Sequence, residues 1–232
     1  MKTIKFLSAI FSKEALITLA SGINKQEYSH KVARGFASVE HNDSSITGEF
    51  IERLTAKRSL VDPLGRKYSS NYIEFRVNTF TINIALKEIE IHGDLRQVSA
   101  LLTSLHECSN FTGVFEPINI DVGDWISNLE GSLNGIRIAH AVASNIEFGN
   151  SASGTLFLSV GDNESNAISR CREILSKRSH SISKAIIQFT HKARSERVAI
   201  FGNGIIKSIT SDLSDLPIPI FQRALRKARP LT

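Results

Sequence analysis

The stretch that decides the fold runs from Gly154 to Ile209 and has the sequence GTLFLSVGDNESNAISRCREILSKRSHSISKAIIQFTHKARSERVAIFGNGIIKSI. In its middle, apolar residues three and four positions apart predict an amphipathic helix over 164–178. Asp162 or Asn163 is expected to cap this helix, because a short side-chain acceptor satisfies a free backbone N–H group of the first turn. The apolar stripe consists of Ala167, Ile168, Cys171, Ile174 and Leu175.

Strands are predicted on both sides of this helix. The apolar run 154–160 ends in a turn cluster, and residues 184–190 alternate between apolar and polar side chains. Residues 197–209 form a predicted hairpin around Asn203-Gly204, a pair that favours a type I′ turn because both central residues need a positive φ. Strand, helix, strand and hairpin in this order indicate a sheet with at least one packed helix.

The remaining chain continues this alternation and predicts an α+β fold, with a mixed or antiparallel sheet and packed helices. Strand–helix–strand occurs around 84–120 and again around 154–190, so a duplicated plan is possible. We divide the chain into a helix- and strand-rich region, 1–93, and an α+β region, 94–232, while a single domain stays open. The pattern predicts helices at 3–21, 95–108, 123–129 and 221–228, strands at 30–40, 71–84, 86–92 and 114–120, a strand or a short helix at 48–60, a turn at 62–65, and an undecided segment at 136–148.

Composition places the chain among ordinary globular proteins. No apolar run approaches the roughly 20 residues that cross a bilayer, so no membrane partner is expected. The apolar run near the N-terminus is cut by Lys13 and Glu14, which favours an amphipathic helix over a signal peptide. Two cysteines, Cys108 and Cys171, are too few for a disulfide framework. A cytoplasmic location follows as the expectation.

Charge is distributed unevenly along the chain. Residues 88–164 carry 2 Lys/Arg against 11 Asp/Glu, whereas residues 165–232 carry 13 Lys/Arg against 4 Asp/Glu. The middle block therefore has a net charge of −9 and the C-terminal block one of +9. Such asymmetry indicates a polyanionic partner for the basic end, or two blocks that face each other within one subunit or between subunits.

The basic end supplies the candidate binding residues. We predict a non-catalytic protein that contacts the nucleic-acid backbone, DNA or RNA, because mobile cations that neutralise phosphates release counterions. Phe189, Phe201 and Phe221 are expected in the core, which argues against base stacking. The predicted nucleic-acid-binding residues are Arg170, Arg172, Lys177, Arg178, Lys184, Lys192, Arg194, Arg197, Arg223, Arg226, Lys227 and Arg229.

Two other functions remain open. One is an assembly subunit, a homo-oligomer or a complex component, in which acidic and basic faces of neighbouring proteins meet. The weaker one is a metal-dependent hydrolase that uses Asp121 and Asp124, since paired carboxylates can hold Mg²⁺. The neighbours His106, Glu107 and Cys108 point about 100° apart on a helix and cannot converge on one ion by themselves. We therefore expect no cofactor, no metal and no catalytic residue.

Overall fold

The structure is a computed structural model that describes residues 3–42, 44–148, 152–161, 166–210, 212 and 215–229. Antiparallel sheet dominates it, with 49% strand and 24% helix, so the predicted sheet with packed helices is present but contains more strand than helix. The chain forms two compact units, an N-terminal unit, Leu7–Glu116, and a C-terminal unit that comprises Met1–Phe6 and Pro117–Thr232. The division at residues 93 and 94 stays a prediction.

The secondary-structure elements alternate along the chain with short connections. A 3₁₀ turn, Leu95–Gln97, precedes the second helix. In chain order the elements are β1 (Thr3–Ile10), α1 (Lys13–Lys25), β2 (Arg34–His41), β3 (Ser45–Val61), β4 (Lys67–Asn83), β5 (Glu88–Gly93), α2 (Val98–Cys108), β6 (Val114–Pro117), α3 (Val122–Ser127), β7 (Asn134–Glu147), β8 (Ser153–Ser159), α4 (Ala167–Ile174), β9 (Ser181–His191), β10 (Arg194–Phe201), β11 (Ile205–Ser208) and α5 (Ile218–Ala228).

The N-terminal unit is a sheet in the order β2-β3-β4-β5-β1, with β6 also paired to β1. Its core forms around three phenylalanine rings, because Phe36 lies 5.3 Å from Phe50 and 5.8 Å from Phe80 between ring centroids. The apolar stripes of α1 and α2 pack into the same core. Gly22 of α1 permits their close approach, since any side chain there would collide with the backbone of Cys108.

The C-terminal unit is an antiparallel sheet in the order β1-β11-β10-β9-β7-β8. Helices α3, α4 and α5 bury Trp125, Cys171 and Phe221 in one core with the inward residues of these strands. Asn166 caps α4, since its side-chain oxygen accepts a hydrogen bond from the Ser169 N–H at 2.9 Å. The helix predicted over 164–178 is thus present in its centre, whereas the expected caps Asp162 and Asn163 lie outside the described residues.

Strand–helix–strand segments occur in both units. Strands β5 and β6, which flank α2, both pair with β1 in the N-terminal unit. Strands β8 and β9, which flank α4, both pair with β7 in the C-terminal unit. In each unit the helix therefore connects two strands that both pair with one common strand. The sequence predicted the order of these elements but not this pairing. The undecided segment at 136–148 is strand, as part of β7.

The helix predicted over residues 3–21 is wrong for its first half. Residues 3–10 form β1, and α1 begins only after Ser12, whose hydroxyl accepts a hydrogen bond from the Ala15 N–H at 3.1 Å. Ile4 and Phe6 are fully buried while Thr3 and Lys5, which alternate with them, are partly exposed, and this is the pattern of a strand. Ile4, Leu7 and Ile10 also fit a helical spacing, so the competing period misled the prediction.

The type I′ turn predicted at Asn203-Gly204 is also wrong. Phe201 pairs with Ile205, so the loop has three residues, and only Gly204 has a positive φ, of 79°. This geometry, with the Gly204 N–H donating to the Phe201 carbonyl at 3.0 Å, is the three-residue hairpin that ends in a left-handed glycine. The two-residue turn with two positive φ values lies instead between β9 and β10, at Lys192 (48°) and Ala193 (60°).

Replacing Ala193 by glycine is expected to stabilise the protein. An L-residue in the left-handed region costs about 1–2 kcal/mol, and glycine removes this cost. Glycine also gives the unfolded chain more conformational freedom, which lowers the stability by about 0.4–1 kcal/mol and offsets part of the gain. We expect the free energy of unfolding to rise by roughly 0.5–1 kcal/mol, measured by urea denaturation. Ser195→Gly, in the exposed part of β10, is the control and should instead destabilise, since glycine weakens a strand. An Ala193→Gly protein that is less stable than wild type would contradict the positive φ of Ala193 in this turn.

Among the described residues, no helix combines the length and the apolar character needed to cross a bilayer.

Candidate nucleic-acid interface

The two faces of the sheet in the C-terminal unit differ in what covers them. Residues directly opposite each other on antiparallel strands share a face, so the register defines rows of side chains across the sheet. One such row packs in the core beneath α3, α4 and α5, with only its edge residue, Leu158, partly exposed. It consists of Leu158, Ala141, Ala185, Ile200, Ile206 and Ile4.

The adjacent row must point the other way, because side chains alternate along a strand. No helix of the C-terminal unit, among the residues that the structure describes, packs on that side, which we call the open face. Its first row is Phe157, Val142, Lys184, Phe201, Ile205 and Lys5. A second row is Ser159, His140, Ile186, Ala199, Lys207 and Thr3, and a third is Arg137, Gln188 and Arg197.

Two phenylalanines give the open face aromatic character. Phe157 of β8 is 74% exposed, an unusual state for the largest apolar side chain of its strand. Phe201 of β10 is half-buried, and the Lys184 ammonium lies 5.2 Å from its ring centroid, within cation–π range. Three strand spacings separate the two phenylalanines, or about 14 Å. The row therefore presents an exposed ring, a cation and a second ring.

A groove of 560 Å³ follows this row. It is lined by Phe157, Val142, Lys184 and Phe201 and by the side-chain amides of Asn145 and Asn203. A smaller, adjoining cavity of 160 Å³ lies between the first and second rows. The groove thus combines apolar rings, one ammonium and amide groups that can both donate and accept hydrogen bonds.

The open face is positively charged. Its three rows contain five cations and no carboxylate. Asp121, at the rim of the groove, is occupied by the fold: one carboxylate oxygen accepts the Gly123 N–H and the other the Ile182 N–H, each at 2.7 Å. The surface therefore suits an anionic, partly aromatic ligand. Its cations are Lys5, Arg137, Lys184, Arg197 and Lys207.

No known protein family matches the chain, and a comparison with curated proteins gave no match. Similarity to known proteins therefore gives no functional information, and a function has to be argued from the geometry of the open face.

The structure divides the twelve predicted binding residues among three places. Lys184 and Arg197 lie on the open face. Lys192 and Arg194 lie at the β9–β10 turn, beside a cavity of 220 Å³. The others lie on the helix side of the sheet, on or directly after α4 and α5, and comprise Arg170, Arg172, Lys177, Arg178, Arg223, Arg226, Lys227 and Arg229.

Some cations of α4 interact with neighbouring groups of the same unit. Arg170 forms an ion pair with Glu173 at 2.6 Å. Arg172 lies 4.0 Å from a carboxylate oxygen of Asp121 and of Asp124. These exposed pairs contribute little stability, about 0–1 kcal/mol each, but they reduce the positive potential of α4. The role of the helix-side cations in nucleic-acid binding stays a prediction.

The two cysteines, Cys108 and Cys171, are buried in the cores of the two units. Among the described residues, no group of three or more His, Cys, Asp or Glu side chains is placed so that it could hold a metal ion. Burial, with a smaller effect of Glu107, raises the pKa of the Cys108 thiol to about 11, and burial also raises the pKa of Cys171. Both thiols are therefore protonated near neutral pH, a state that disfavours nucleophilic attack and metal coordination.

Sequence reasoning missed Phe157 and placed Phe201 wrongly in the core, although it assigned Phe189 and Phe221 there correctly. The run 154–160 contains apolar residues at both parities, so it resembles a strand buried on both faces. The available signal was the alternation on β7 and β9, where His140, Lys184 and Gln188 mark a polar face. Pairing β8 next to β7 then puts Phe157 on that face.

Proposed function

We propose that the protein binds single-stranded nucleic acid on the open face of its C-terminal unit. The observation that supports this most is the row across four neighbouring strands in which Phe157 lies at one end, Phe201 at the other, and Val142 and Lys184 lie between them. Aromatic rings on a sheet stack on unpaired bases, and nearby cations neutralise phosphates. Bases inside a duplex are already stacked and cannot use these rings, so a single strand is the better ligand.

Direct binding with a labelled oligonucleotide tests the proposal. Fluorescence anisotropy with oligo(dT) and oligo(U), against a duplex of equal length, should show tighter binding of the single strands. If all five cations of the open face contact phosphates, log K should fall with log salt with a slope of roughly −3.5. Equal or tighter duplex binding, or affinity indifferent to salt, would overturn the proposal.

A pair of phenylalanine variants localises the site. Phe157→Ala is expected to weaken binding about 5- to 100-fold, because one stacked base contributes about 1–3 kcal/mol. Phe148→Ala is the matched control: Phe148 is 54% exposed but lies outside the three rows, beside Arg178. Both rings are exposed, so both variants should fold. Equal affinities of the two variants would place the site elsewhere.

An assembly subunit with complementary acidic and basic faces is the second candidate. Arg172 of the basic block lies 4.0 Å from Asp121 and from Asp124 of the acidic block, so part of that complementarity is used within one chain. A mass measurement by light scattering at low and high salt separates the candidates. A salt-sensitive oligomer without affinity for nucleic acid would favour assembly.

A further inference from the structure

The hairpin of β3 and β4 is far longer than the sheet to which it belongs. Its strands pair continuously from Ser45–Asn83 to Val61–Lys67. On one side β2 ends opposite Glu52, and on the other β5 ends opposite Asn78. Residues 54–74, which we call the arm, therefore form a two-stranded ribbon of eight pairs, or about 27 Å. No third strand pairs with it among the described residues.

The arm is apolar as well as exposed. A two-stranded ribbon is marginally stable in water by itself, and exposed apolar patches usually mark interaction surfaces. Six large apolar side chains of the arm are between 43% and 80% exposed, so the fold leaves much apolar surface of the arm in contact with water. They are Leu60, Val61, Leu64, Tyr68, Tyr72 and Ile73.

One face of the arm has an ordered arrangement of rings and charge. Tyr72 lies opposite Ala56, Arg58 opposite Ser70, and Tyr68 opposite Leu60, so all share a face. The two tyrosines are four residues apart on one strand, about 13 Å, and Arg58 lies level with the midpoint between them. The Tyr68 hydroxyl donates to the Asp62 carboxylate at 3.3 Å, which restrains its ring. Two rings and a guanidinium plane thus form a ladder suited to unpaired bases.

Charge decides which partner the arm fits. The arm has two carboxylates: Glu74, at its base, pairs with Arg76 at 2.9 Å, and Asp62, at its tip, accepts the Leu64 and Arg66 N–H groups of the turn, at 2.9 and 2.7 Å. The arm also contains four cations, and no carboxylate among the described residues lies within ion-pair distance of them. Protein interfaces exclude lysine from their centres, whereas a polyanion attracts it. The cations are Lys57, Arg58, Arg66 and Lys67.

We infer that the arm is a second binding site for single-stranded nucleic acid, in which Tyr68 and Tyr72 stack on bases and Arg58 contacts the strand between them. This inference rests on the proposed function for the class of ligand, but the site belongs to the N-terminal unit and uses different residues. Binding orders the ribbon and covers apolar surface that the fold leaves in water.

Variants of the two tyrosines test the arm. Tyr68→Ala with Tyr72→Ala should weaken the binding of oligo(dT) or oligo(U) about 30-fold or more, whereas the double Tyr→Phe variant should retain binding because phenylalanine keeps the stacking face. Ile73→Ala is the matched control, since Ile73 is 60% exposed on the opposite face of the arm. The arm lies outside the core, so all three proteins should show the same far-UV circular dichroism.

Ultraviolet cross-linking to the same oligonucleotides separates the two sites. Cross-links in peptides from the arm support the inference, and cross-links in peptides from β8 support the open face. If Phe157→Ala weakens binding while the tyrosine variants do not, the inference is overturned and the proposed function stands. If only the tyrosine variants weaken binding, the open face is wrong and the arm stands. A change in molecular mass of the tyrosine variants, with unchanged affinity, would make the arm a protein interface and overturn the inference.

Discussion

Replacing Trp125 by alanine is expected to lower the free energy of unfolding of the C-terminal unit by about 3–5 kcal/mol. Trp125 is fully buried in α3, and its indole N–H donates to the Phe221 carbonyl of α5 at 3.0 Å. Alanine removes the largest buried side chain of the unit and leaves a cavity between α3, α5 and the sheet. Since domains are stable by only about 5–15 kcal/mol, this is a large fraction of the total.

Urea denaturation followed by far-UV circular dichroism measures this loss, and hydrogen exchange localises it. Protection should fall in α3, α5 and β9, which share the core with Trp125, whereas α2 of the N-terminal unit should keep its protection. Phe157→Ala is the control within the unit, because its ring is 74% exposed and its loss should change stability by less than about 0.5 kcal/mol. A Trp125→Ala protein as stable as wild type would mean that α3 does not hold the helical layer on the sheet.

The strands and helices with a clear period were predictable from the sequence. The alternation at 184–190 and the turn at Asp62-Pro63-Leu64-Gly65 occur in the structure, where Gly65 has a φ of 80°. In these segments local propensity and tertiary packing agree. Residues 3–10 fit both the helical and the strand period, and they form a strand because they pair with β11 on one side. Such pairing depends on residues about 200 positions away, which periodicity in a local window does not include.

The candidate site was harder to predict than the fold. Charge counted along the chain grouped Arg170 of α4 with Lys184 of β9, although the sheet separates them. Only the register of three strands, β1, β11 and β10, shows that Lys5, near the start of the chain, shares a row with Phe201. A binding face made of single residues from many strands has no continuous signature in the sequence.

The arm escaped prediction for a related reason. The segment 48–60 fits a strand or a short helix in sequence, because its apolar alternation fades after Phe50. Alternation records burial on one face, and the arm has no core beneath it. The loss of pattern was therefore itself the signal of a strand that leaves the sheet, but only the paired register of β4 makes this visible.

Replacing Phe80 by alanine is expected to lower the free energy of unfolding by about 3–5 kcal/mol, while Phe75→Ala in the same strand should change it by less than about 0.5 kcal/mol. Phe80 is fully buried beside Phe36, whereas Phe75, five residues earlier, is 59% exposed. Urea denaturation of both variants measures the contrast, which distinguishes the face of β4 that packs on the core, where Phe80 lies, from the opposite face, where Phe75 lies an odd number of residues away. If Phe75→Ala destabilised the protein as strongly as Phe80→Ala, the base of the arm would be packed against other residues. The neighbouring tyrosines would then contribute to folding, and a loss of binding on their replacement could not be assigned to stacking on bases.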